Sequence, residues 1–394
     1  MVELLIDKRI RHLEIILKIS ERCNINCDYC YVFNKGNSAA NDSPARISDK
    51  NIHHFVNFLE RASQEYQIGT LQIDLHGGEP LLMKKENFAN MCIQFMSGHY
   101  CGSNIRLALQ TNGTLIDEEW IALFEKYSVN VSVSIDGPKH INDRHRLDTK
   151  GRSTYEGTVR GLRMLQQAYQ QGRLPSAPGI LCVANAKVNG AEIYRHFVDD
   201  LGVYSFDFLI PDDCYKDADV DALGLGRFLN EALDEWVKDD NPKIFVRLFQ
   251  THIATLLGQK NSGILGHNPS VTGVYALTVS SDGFVRVDDT LRSTSDSMFN
   301  PIGHTSEVSL SEVFDSPQFR EYTSVGQSLP TECTGCIWEN ICAGGRIVNR
   351  FSPEDHFDRK SAYCYSMRSF LSRASAHLIN MGIKEERIMA AISQ

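Results

Sequence analysis

Three cysteines near the start of the chain have the spacing of an iron–sulfur site. Cys23, Cys27 and Cys30 form a C-x3-C-x2-C pattern directly after a β-like apolar run at residues 13–20. A 4Fe–4S cluster normally takes four protein thiolates, so three leave one iron open to chelate a small molecule. Zinc would favour paired C-x2-C spacing and a fourth nearby ligand, but the loop adds only Asn and Asp. The triad therefore predicts a cluster with an open iron.

A second group of cysteines lies toward the C-terminus and consists of Cys333, Cys336, Cys342 and Cys364. Four thiolates can hold zinc or an iron–sulfur cluster, and the spacing alone does not choose between them. The total of eleven cysteines is odd, and the start of the chain does not resemble a signal peptide. A disulfide framework is therefore a poor explanation, and we expect a cytoplasmic protein whose clustered thiols bind metal.

Composition and charge exclude two classes of partner. The 394 residues are 42% hydrophobic and 23% charged, as in an ordinary soluble globular protein. A net charge of −9 argues against a nucleic-acid partner, which would need clustered Lys and Arg. No run of about 18 apolar residues is present, so we expect no membrane span.

The elements that must position these cysteines alternate along the first half of the chain. Six strands are predicted, at 13–20, 71–77, 105–112, 129–136, 179–185 and 204–210. Helix-length segments lie between them, near 49–66, 86–97, 117–127, 154–171 and 190–201. This alternation predicts an α/β fold with a parallel sheet, either a doubly wound sheet or a partial β/α barrel, with the chemistry at the carboxyl ends of the strands.

The second half of the chain has a different pattern. Residues 221–259 predict two helices broken near Asn241-Pro242, and a hairpin with Asp282-Gly283 at its turn follows. A last helix is expected at about 364–381, and 258–273 is the best candidate linker. We expect a barrel at 1–215, a helical bridge at 216–265, an iron–sulfur domain at 266–375 and a tail at 376–394.

The string CNINCDYCY, with Tyr29 before the last cysteine, resembles the signature of the radical S-adenosylmethionine (SAM) superfamily. The resemblance implies a partial (β/α)6 barrel, a SAM-binding 4Fe–4S cluster and a 5′-deoxyadenosyl radical that abstracts hydrogen. It also implies a set of SAM contacts. These are Tyr29, the GGEP turn Gly77, Gly78, Glu79 and Pro80, Asn112 of QTNG, Ser134 of SIDG, and Arg146.

The string CTGCIWENICAGG resembles the SPASM domain, which follows radical SAM barrels and carries auxiliary 4Fe–4S clusters. The full SPASM pattern has seven cysteines for two clusters, and three of them are missing here. The pattern expects a cysteine after Cys342-x3, where this chain has Arg346, and another after Gly283-x4, where it has Asp288. The third would lie 9 to 15 residues before Gly283, and no cysteine is found there. We therefore expect one auxiliary cluster, held by the four later cysteines, and two 4Fe–4S clusters in total.

Residues around Asp289 narrow the predicted reaction. QTNGTLI, SIDGP and the SPASM region resemble anaerobic sulfatase-maturating enzymes, in which an aspartate matching Asp289 is the general base. The segment Asp289–Arg292 more closely resembles the D-x-L-[KR] of SPASM maturases that cross-link ribosomal peptides, some through cyclophanes. Further candidates for contact with the substrate are Asp212, Asp213, Asp288 and Arg292.

The favoured hypothesis is a radical SAM oxidoreductase that cross-links an aromatic ring to a side-chain β-carbon in a precursor peptide. It would need an external one-electron donor of the flavodoxin or ferredoxin type. We find no segment of about 80 residues for a dedicated leader-binding domain. The alternatives are formylglycine formation as in sulfatase maturation, a dehydrogenase or epimerase acting on a carbohydrate or peptide, and a metal-binding module without catalysis.

Overall fold

A computed structural model describes residues 9–259, 273–294 and 297–393. The strands in this part of the chain are β1 (Arg9–Ser20), β2 (Ile25–Cys27), β3 (Gln67–Gly77), β4 (Asn104–Thr111), β5 (Asn130–Ser134), β6 (Arg146–Asp148), β7 (Gly179–Val183), β8 (Ser205–Leu209), β9 (Phe245–Val246), β10 (Val274–Val279), β11 (Phe284–Arg286) and β12 (Gly303–His304). The helices are α1 (Ala39–Asp42), α2 (Asp49–Glu65), α3 (Lys85–Ser97), α4 (Glu118–Lys126), α5 (Lys139–Asn142), α6 (Tyr155–Gln170), α7 (Gly190–Arg195), α8 (Ala222–Asp239), α9 (Arg247–Leu256), α10 (Leu310–Asp315), α11 (Pro317–Gln327), α12 (Glu339–Cys342), α13 (Cys364–Asn380) and α14 (Glu385–Ile392).

Most of the first unit is built on a parallel sheet. Its described residues fall within Met1–Ser134, Asp143–Pro178 and Val271–Thr323. β1 pairs in parallel with both β3 and β10, and β4 and β5 continue the parallel pairing beyond β3. β10 also forms an antiparallel hairpin with β11, to which β12 pairs. The hairpin that follows the candidate linker therefore belongs to the same sheet as β1.

The second unit contains the remaining strands and the later cysteines. Its described residues fall within Ile135–Asn142, Gly179–Ser270 and Ser324–Gln394. β7 pairs in parallel with β8, and β8 pairs in parallel with β9. The helices α8 and α13 pack against each other, and Phe249 of α9 stacks on Phe370 of α13 with ring centroids 5.6 Å apart. An aromatic pair of this kind contributes to the packing of the two helices beyond the area that it buries.

The predicted elements are confirmed. Each of the six predicted strands and each of the predicted helices is present, and so is the hairpin at Asp282-Gly283. Side chains cap several helices, as Asp117 does when it accepts the Trp120 amide at the start of α4. Of the candidate linker 258–273, residues 260–272 lie outside the described residues. None of the helices in the described ranges has the length and apolar character needed to cross a bilayer.

Candidate active site

The first cysteine group lies in the loop that follows β1. β2 ends at Cys27 and pairs with β6, which places Cys27 opposite Arg146. The Cys30 amide donates to the Cys27 carbonyl oxygen at 3.1 Å, so the chain turns back between these two cysteines. Burial raises the pKa of the Cys23 thiol to about 12, and Cys27 and Cys30 are close enough to add to this rise. The structure thus brings the three predicted cysteines together at the carboxyl end of β1.

The GGEP turn is tied to the start of this loop. The Gly78 amide donates to the Ser20 carbonyl at 2.7 Å, and the Glu79 amide donates to the Arg22 carbonyl at 2.8 Å. A Cβ on Gly77, whose φ is +144°, would overlap the Ser20 carbonyl oxygen, and one on Gly78 would lie 2.5 Å from the Arg22 oxygen. Glycine is therefore required at both positions, since the two backbone segments pass so close to each other.

The Glu79 carboxylate is fully buried and satisfied by the protein itself. Its Oε1 accepts from the Thr111 hydroxyl at 2.7 Å and from the Leu81 amide at 3.0 Å, and its Oε2 accepts from the Asn112 amide at 2.8 Å. Burial raises the pKa of Glu79 in spite of these donors. In this arrangement the side chain holds the ends of β3 and β4 together, while Pro80 begins a short 3-10 turn. A contact of GGEP with SAM stays a prediction.

Asn112 links the end of β4 to the cysteine loop. Its side-chain amide donates to Asn24 Oδ1 at 2.8 Å and lies 4.0 Å from the Cys23 sulfur. Its side-chain oxygen Oδ1 accepts from the Thr114 hydroxyl at 2.6 Å, and the Asn24 side-chain amide donates to that hydroxyl at 2.9 Å. The network fixes the position of Asn112 beside Cys23, one of the predicted cluster ligands.

Arg146 and Tyr29, two further predicted SAM contacts, lie next to each other. The Arg146 guanidinium is buried and donates to the Tyr29 hydroxyl at 2.7 Å. Ser134 is not part of this pair, because its hydroxyl accepts from the Gln110 amide at 2.7 Å at the ends of the neighbouring strands β5 and β4. The roles of all three residues in SAM binding remain predictions.

Asp289 lies in a buried group of charged side chains. It is 1% exposed, at the start of the 3-10 turn Asp289–Ser293, and it forms an ion pair with Lys18 of β1. Tyr31, which directly follows Cys30, donates its hydroxyl to Asp289 Oδ2 at 2.9 Å. Burial alone would raise the pKa of Asp289, but Lys18, with help from Arg292, outweighs it and holds the pKa well below its usual range. Asp289 is thus a charged carboxylate.

The two neighbouring candidates have defined surroundings. Asp288 Oδ1 accepts from the Thr290 amide and hydroxyl, both at 2.9 Å, so this carboxylate caps the 3-10 turn. Arg292 is 2% exposed, and its guanidinium lies 4.5 Å from the centroid of the Phe299 ring. Within the described residues, the Arg292 Nε and one of its terminal nitrogens have no hydrogen-bond partner. Contact of either residue with substrate stays a prediction.

The later cysteines are gathered in the second unit. Cys333 ends a 3-10 turn, Cys342 ends α12 and Cys364 begins α13. Burial raises the pKa of Cys342 to about 12, and Cys364, Cys333 and Cys336 are close enough to add to the shift. The guanidinium of Arg350 lies near this group, with its pKa lowered by burial and partly restored by Cys333. The four cysteines are therefore close enough to interact electrostatically, and the buried Arg350 guanidinium interacts with them.

Arg346 and the two aspartates after β8 bind one another or nearby side chains. The Arg346 guanidinium lies 2.6 Å from Asp212 Oδ1 and donates to the Ile210 carbonyl at 2.5 Å. Asp213 accepts from the Tyr363 hydroxyl at 2.5 Å. Both aspartates are half-buried and engaged in these contacts. Their contact with a substrate stays a prediction.

Comparison with known proteins gives a family match to the region that contains the first of these sites. The profile of the radical SAM superfamily matches residues 17–175, a range that includes the first cysteine group, GGEP, Asn112 and Arg146. The chain carries a radical SAM domain. Its α/β fold and largely parallel pairing are those of radical SAM enzymes, as the likeness to a solved structure below also shows.

Relatives of known activity cover almost the whole chain. The cysteine-type anaerobic sulfatase-maturating enzyme of Clostridium perfringens strain 13 is 27% identical over 384 residues, which are 94% of this chain and 98% of that enzyme. The serine-type enzyme of Bacteroides thetaiotaomicron is 26% identical over 361 residues, 84% of this chain and 81% of that enzyme. The structure of native anSMEcpe with bound AdoMet and Cp18Cys peptide is 25% identical, with a TM-score of 0.79, and the match covers 94% of this chain and 98% of that one.

The radical SAM domain implies bound SAM and a 4Fe–4S cluster, and the donor set fits them. Three cysteines supply thiolates to three irons of a cluster, which leaves the fourth iron for SAM. No group of three or more His, Cys, Asp or Glu side chains in the described ranges converges on a single ion. The backbone of Gly77 and Gly78 packs directly against the Ser20 and Arg22 carbonyls, at the start of the cysteine loop.

Sequence reasoning missed the residues that surround Asp289 near the radical SAM domain's cysteine loop. Lys18, Tyr31 and His76 were not predicted as site residues. One signal was available for Lys18, because it interrupts the apolar run LEIILKIS of a strand expected to be buried on both faces. That signal did not show that the partner of Lys18 is Asp289, which lies far away in the sequence.

Proposed function

We propose that this radical SAM enzyme modifies a side chain of a precursor peptide by removing hydrogen from the β-carbon and then one electron and one proton. Support comes from relatives that match nearly the whole chain and are sulfatase-maturating enzymes, one of them solved with a peptide and AdoMet. The observation that carries the proposal is the hydrogen bond from Tyr31 to Asp289, which connects a charged carboxylate to the cysteine loop.

The parts of the chain have separate tasks in this proposal. When bound, SAM and the cluster held by Cys23, Cys27 and Cys30 supply a hydrogen-abstracting radical. Gly77 and Gly78 let the backbone approach SAM, and Arg146 binds its carboxylate. Asp289 then accepts the proton that the oxidised peptide loses, which its charged state allows.

The four later cysteines are proposed to bind an auxiliary 4Fe–4S cluster that takes up the electron. Their mutual proximity supports a shared site, and a fully ligated cluster has no open iron for a substrate. The buried guanidinium of Arg350 offsets part of the negative charge of four thiolates. A flavodoxin- or ferredoxin-type protein would supply the electron that begins each turnover.

Two products are compatible with this chemistry, and each is favoured by a different observation. The relatives favour oxidation of Cys or Ser to formylglycine, as in sulfatase maturation. Cross-linking of an aromatic ring to a β-carbon is favoured by the loss of one auxiliary cluster, whose expected ligand positions hold Asp288 and Arg346. Both routes need the same hydrogen abstraction and the same base, so the first step does not separate them.

The test is anaerobic turnover of the reconstituted enzyme with SAM, a reductant and three sets of peptides. Two sets carry a sulfatase-type Cys or Ser motif, and the third carries an aromatic residue a few positions from an aliphatic or polar side chain. Mass spectrometry distinguishes the products of the Cys peptides, because formylglycine formation removes the sulfur whereas a cross-link removes only two hydrogen atoms. Formylglycine from Ser also corresponds to a loss of two hydrogen atoms, so its aldehyde is identified by reaction with a hydrazine reagent, which a cross-link does not undergo. The peptides to test first are any short reading frames found beside the gene.

The controls separate the enzyme from its alternatives. A mixture without reductant or without SAM should give neither product nor 5′-deoxyadenosine. Formation of 5′-deoxyadenosine with every peptide left unmodified would contradict peptide modification and favour a carbohydrate substrate. Absence of 5′-deoxyadenosine from enzyme with a full complement of iron would contradict the radical SAM assignment itself.

A further inference from the structure

Lys18 is a fully buried cation at the end of a buried strand. It is 0% exposed in β1, where its neighbours Leu17 and Ile19 are also fully buried. Its ammonium group lies 3.1 Å from the His76 Nδ1 atom and forms an ion pair with Asp289 Oδ2. Burial of a charge is costly, and a hydrophobic residue of similar size would often give a protein of equal or greater stability. The pair therefore calls for an explanation other than folding.

Three separate elements place this group of side chains together. Lys18 of β1 and His76 of β3 are register partners in the parallel sheet, so their side chains lie side by side. Asp289 approaches from the turn that follows β11. The group lies at the carboxyl ends of β1 and β3, where the cysteine loop and the GGEP turn begin, and this is the end of a parallel sheet at which α/β enzymes act.

Lys18 and the Tyr31 hydroxyl share one oxygen of Asp289. The ammonium group of Lys18 pairs with Oδ2, and the Tyr31 hydroxyl donates to the same Oδ2 at 2.9 Å. The His76 Nδ1 atom is a second acceptor for the Lys18 ammonium group. Burial, reinforced by the Lys18 charge, lowers the pKa of His76 to about 3, so the ring stays neutral. Lys18 is thus fixed between two acceptors and directs one carboxylate oxygen of Asp289 toward Tyr31.

We propose that Lys18 is a positioning residue that keeps Asp289 a carboxylate and holds its Oδ2 at Tyr31, ready to take the proton that the peptide loses. The inference rests on the proposed function. In the step concerned, the peptide loses one proton and one electron. The proton would form an O–H bond on Asp289, the electron would pass to an iron–sulfur cluster held by the four later cysteines, and Lys18 would keep its own proton throughout. Asp289 later returns its proton to water.

Several charged or titratable groups lie around Lys18 and Asp289, and the test must separate their effects. They are Glu21 after β1, Tyr31 in the cysteine loop, His76 on β3 and Arg292 on the same turn. Burial raises the pKa of Glu21, and Lys18 opposes this rise, so removal of Lys18 affects Glu21 as well as Asp289. The effect of Lys18→Met must therefore also be measured in a Glu21→Gln background.

The first measurement is a double-mutant cycle of wild type, Lys18→Met, Asp289→Asn and the double variant. The readout is peptide product formed per 5′-deoxyadenosine, followed over a range of about pH 6 to about pH 9. Lys18→Met should lower this ratio by about tenfold at neutral pH and give it a dependence on pH that wild type lacks, because Asp289 without Lys18 becomes protonated. In the Asp289→Asn background, Lys18→Met should cause no further loss.

The second measurement does not depend on turnover. The loss of unfolding free energy caused by Lys18→Met should shrink as the pH falls, because protonation relieves a buried Asp289 that has lost its partner. This dependence on pH should vanish in the Asp289→Asn background and persist in the Glu21→Gln background. Lys85→Met, which removes an ion pair with the more exposed Asp117, is the matched control and should leave the product ratio unchanged.

The outcomes separate the possible failures. The inference would be overturned if Lys18→Met lowered the product ratio equally in the wild-type and Asp289→Asn backgrounds. It would also be overturned if the change in unfolding free energy caused by Lys18→Met did not depend on pH. Either result would make Lys18 a packing residue. If Lys18→Met does not fold, Lys18→Gln takes its place, because it lacks the charge but keeps a hydrogen-bond donor. If wild type modifies no peptide, the proposed function fails, and the stability cycle still decides whether Lys18 keeps Asp289 charged.

Discussion

Arg346 and Asp212 form an ion pair, with a guanidinium nitrogen 2.6 Å from a carboxylate oxygen. In the seven-cysteine SPASM pattern, the position of Arg346 belongs to a cysteine that binds a cluster. A guanidinium that is held by Asp212 and by the Ile210 carbonyl cannot bind iron. The structure thus gives Arg346 a partner of its own at this position, and the expected number of clusters stays a prediction.

Anaerobically reconstituted protein should contain about eight iron atoms per chain, which corresponds to two 4Fe–4S clusters. Changing Cys342 to Ser should lower the content to about four, because it removes a ligand of the later site alone. Cys101→Ser is the matched control, because Cys101 is exposed and outside both groups, and its iron content should equal that of wild type. A content of about twelve in wild type would contradict the two-cluster prediction.

Changing Gly78 to Ala should weaken SAM binding by roughly tenfold. The added Cβ would lie 2.5 Å from the Arg22 carbonyl oxygen, so the segment leading into Cys23 must move. Equilibrium binding of SAM to the reconstituted protein measures the effect. Gly157→Ala in α6 is the control, because its Cβ would meet Thr114 at an ordinary 3.6 Å and the substitution favours the helix. Equal affinities for the two variants would show that the Gly78 backbone does not shape the site.

Changing Asp289 to Asn should lower peptide product by about 100-fold or more, because an amide cannot accept the proton. 5′-Deoxyadenosine should still be formed, since hydrogen abstraction precedes this step. Product and 5′-deoxyadenosine are measured in the same reaction. The surface variant Asp315→Asn, which loses only an exposed pair with Arg320, should match wild type. Full product from Asp289→Asn would show that another group is the base.

His76 should make the protein less stable in mild acid. Its pKa is lowered to about 3 when folded, so the unfolded chain binds a proton on this ring first as the pH falls below about 6.5. The part of the unfolding free energy that depends on a neutral His76 is therefore fully present above about pH 6.5 and is lost progressively below it. Between about pH 7.5 and pH 5.5, wild type should lose up to about 1 kcal/mol more unfolding free energy than His76→Gln. Parallel denaturation curves at the two pH values would indicate that His76 is more exposed to water than its contacts suggest.

Much of the fold and of the first site could be predicted because the signals are local. Strand and helix periodicities depend on neighbouring residues, and all six strands of the alternating region are present. The spacing of Cys23, Cys27 and Cys30 likewise fits within one loop, and the radical SAM match covers it. The expected cross-linking reaction was a finer prediction, and the relatives favour sulfatase-type maturation instead.

The long-range contacts could not be predicted, because no periodicity records which distant segments meet. The sequence showed a lysine inside a buried strand and an aspartate after a hairpin. Only the tertiary structure decided that Lys18 and Asp289 are partners, through the parallel pairing of β10 with β1 that brings the hairpin to this strand. It also decided that Glu79 binds Thr111 and Asn112. Motif spacing thus determined which cysteines could hold a cluster, whereas burial of charges determined which side chains had to find each other, since a buried charge is tolerated only beside its partner.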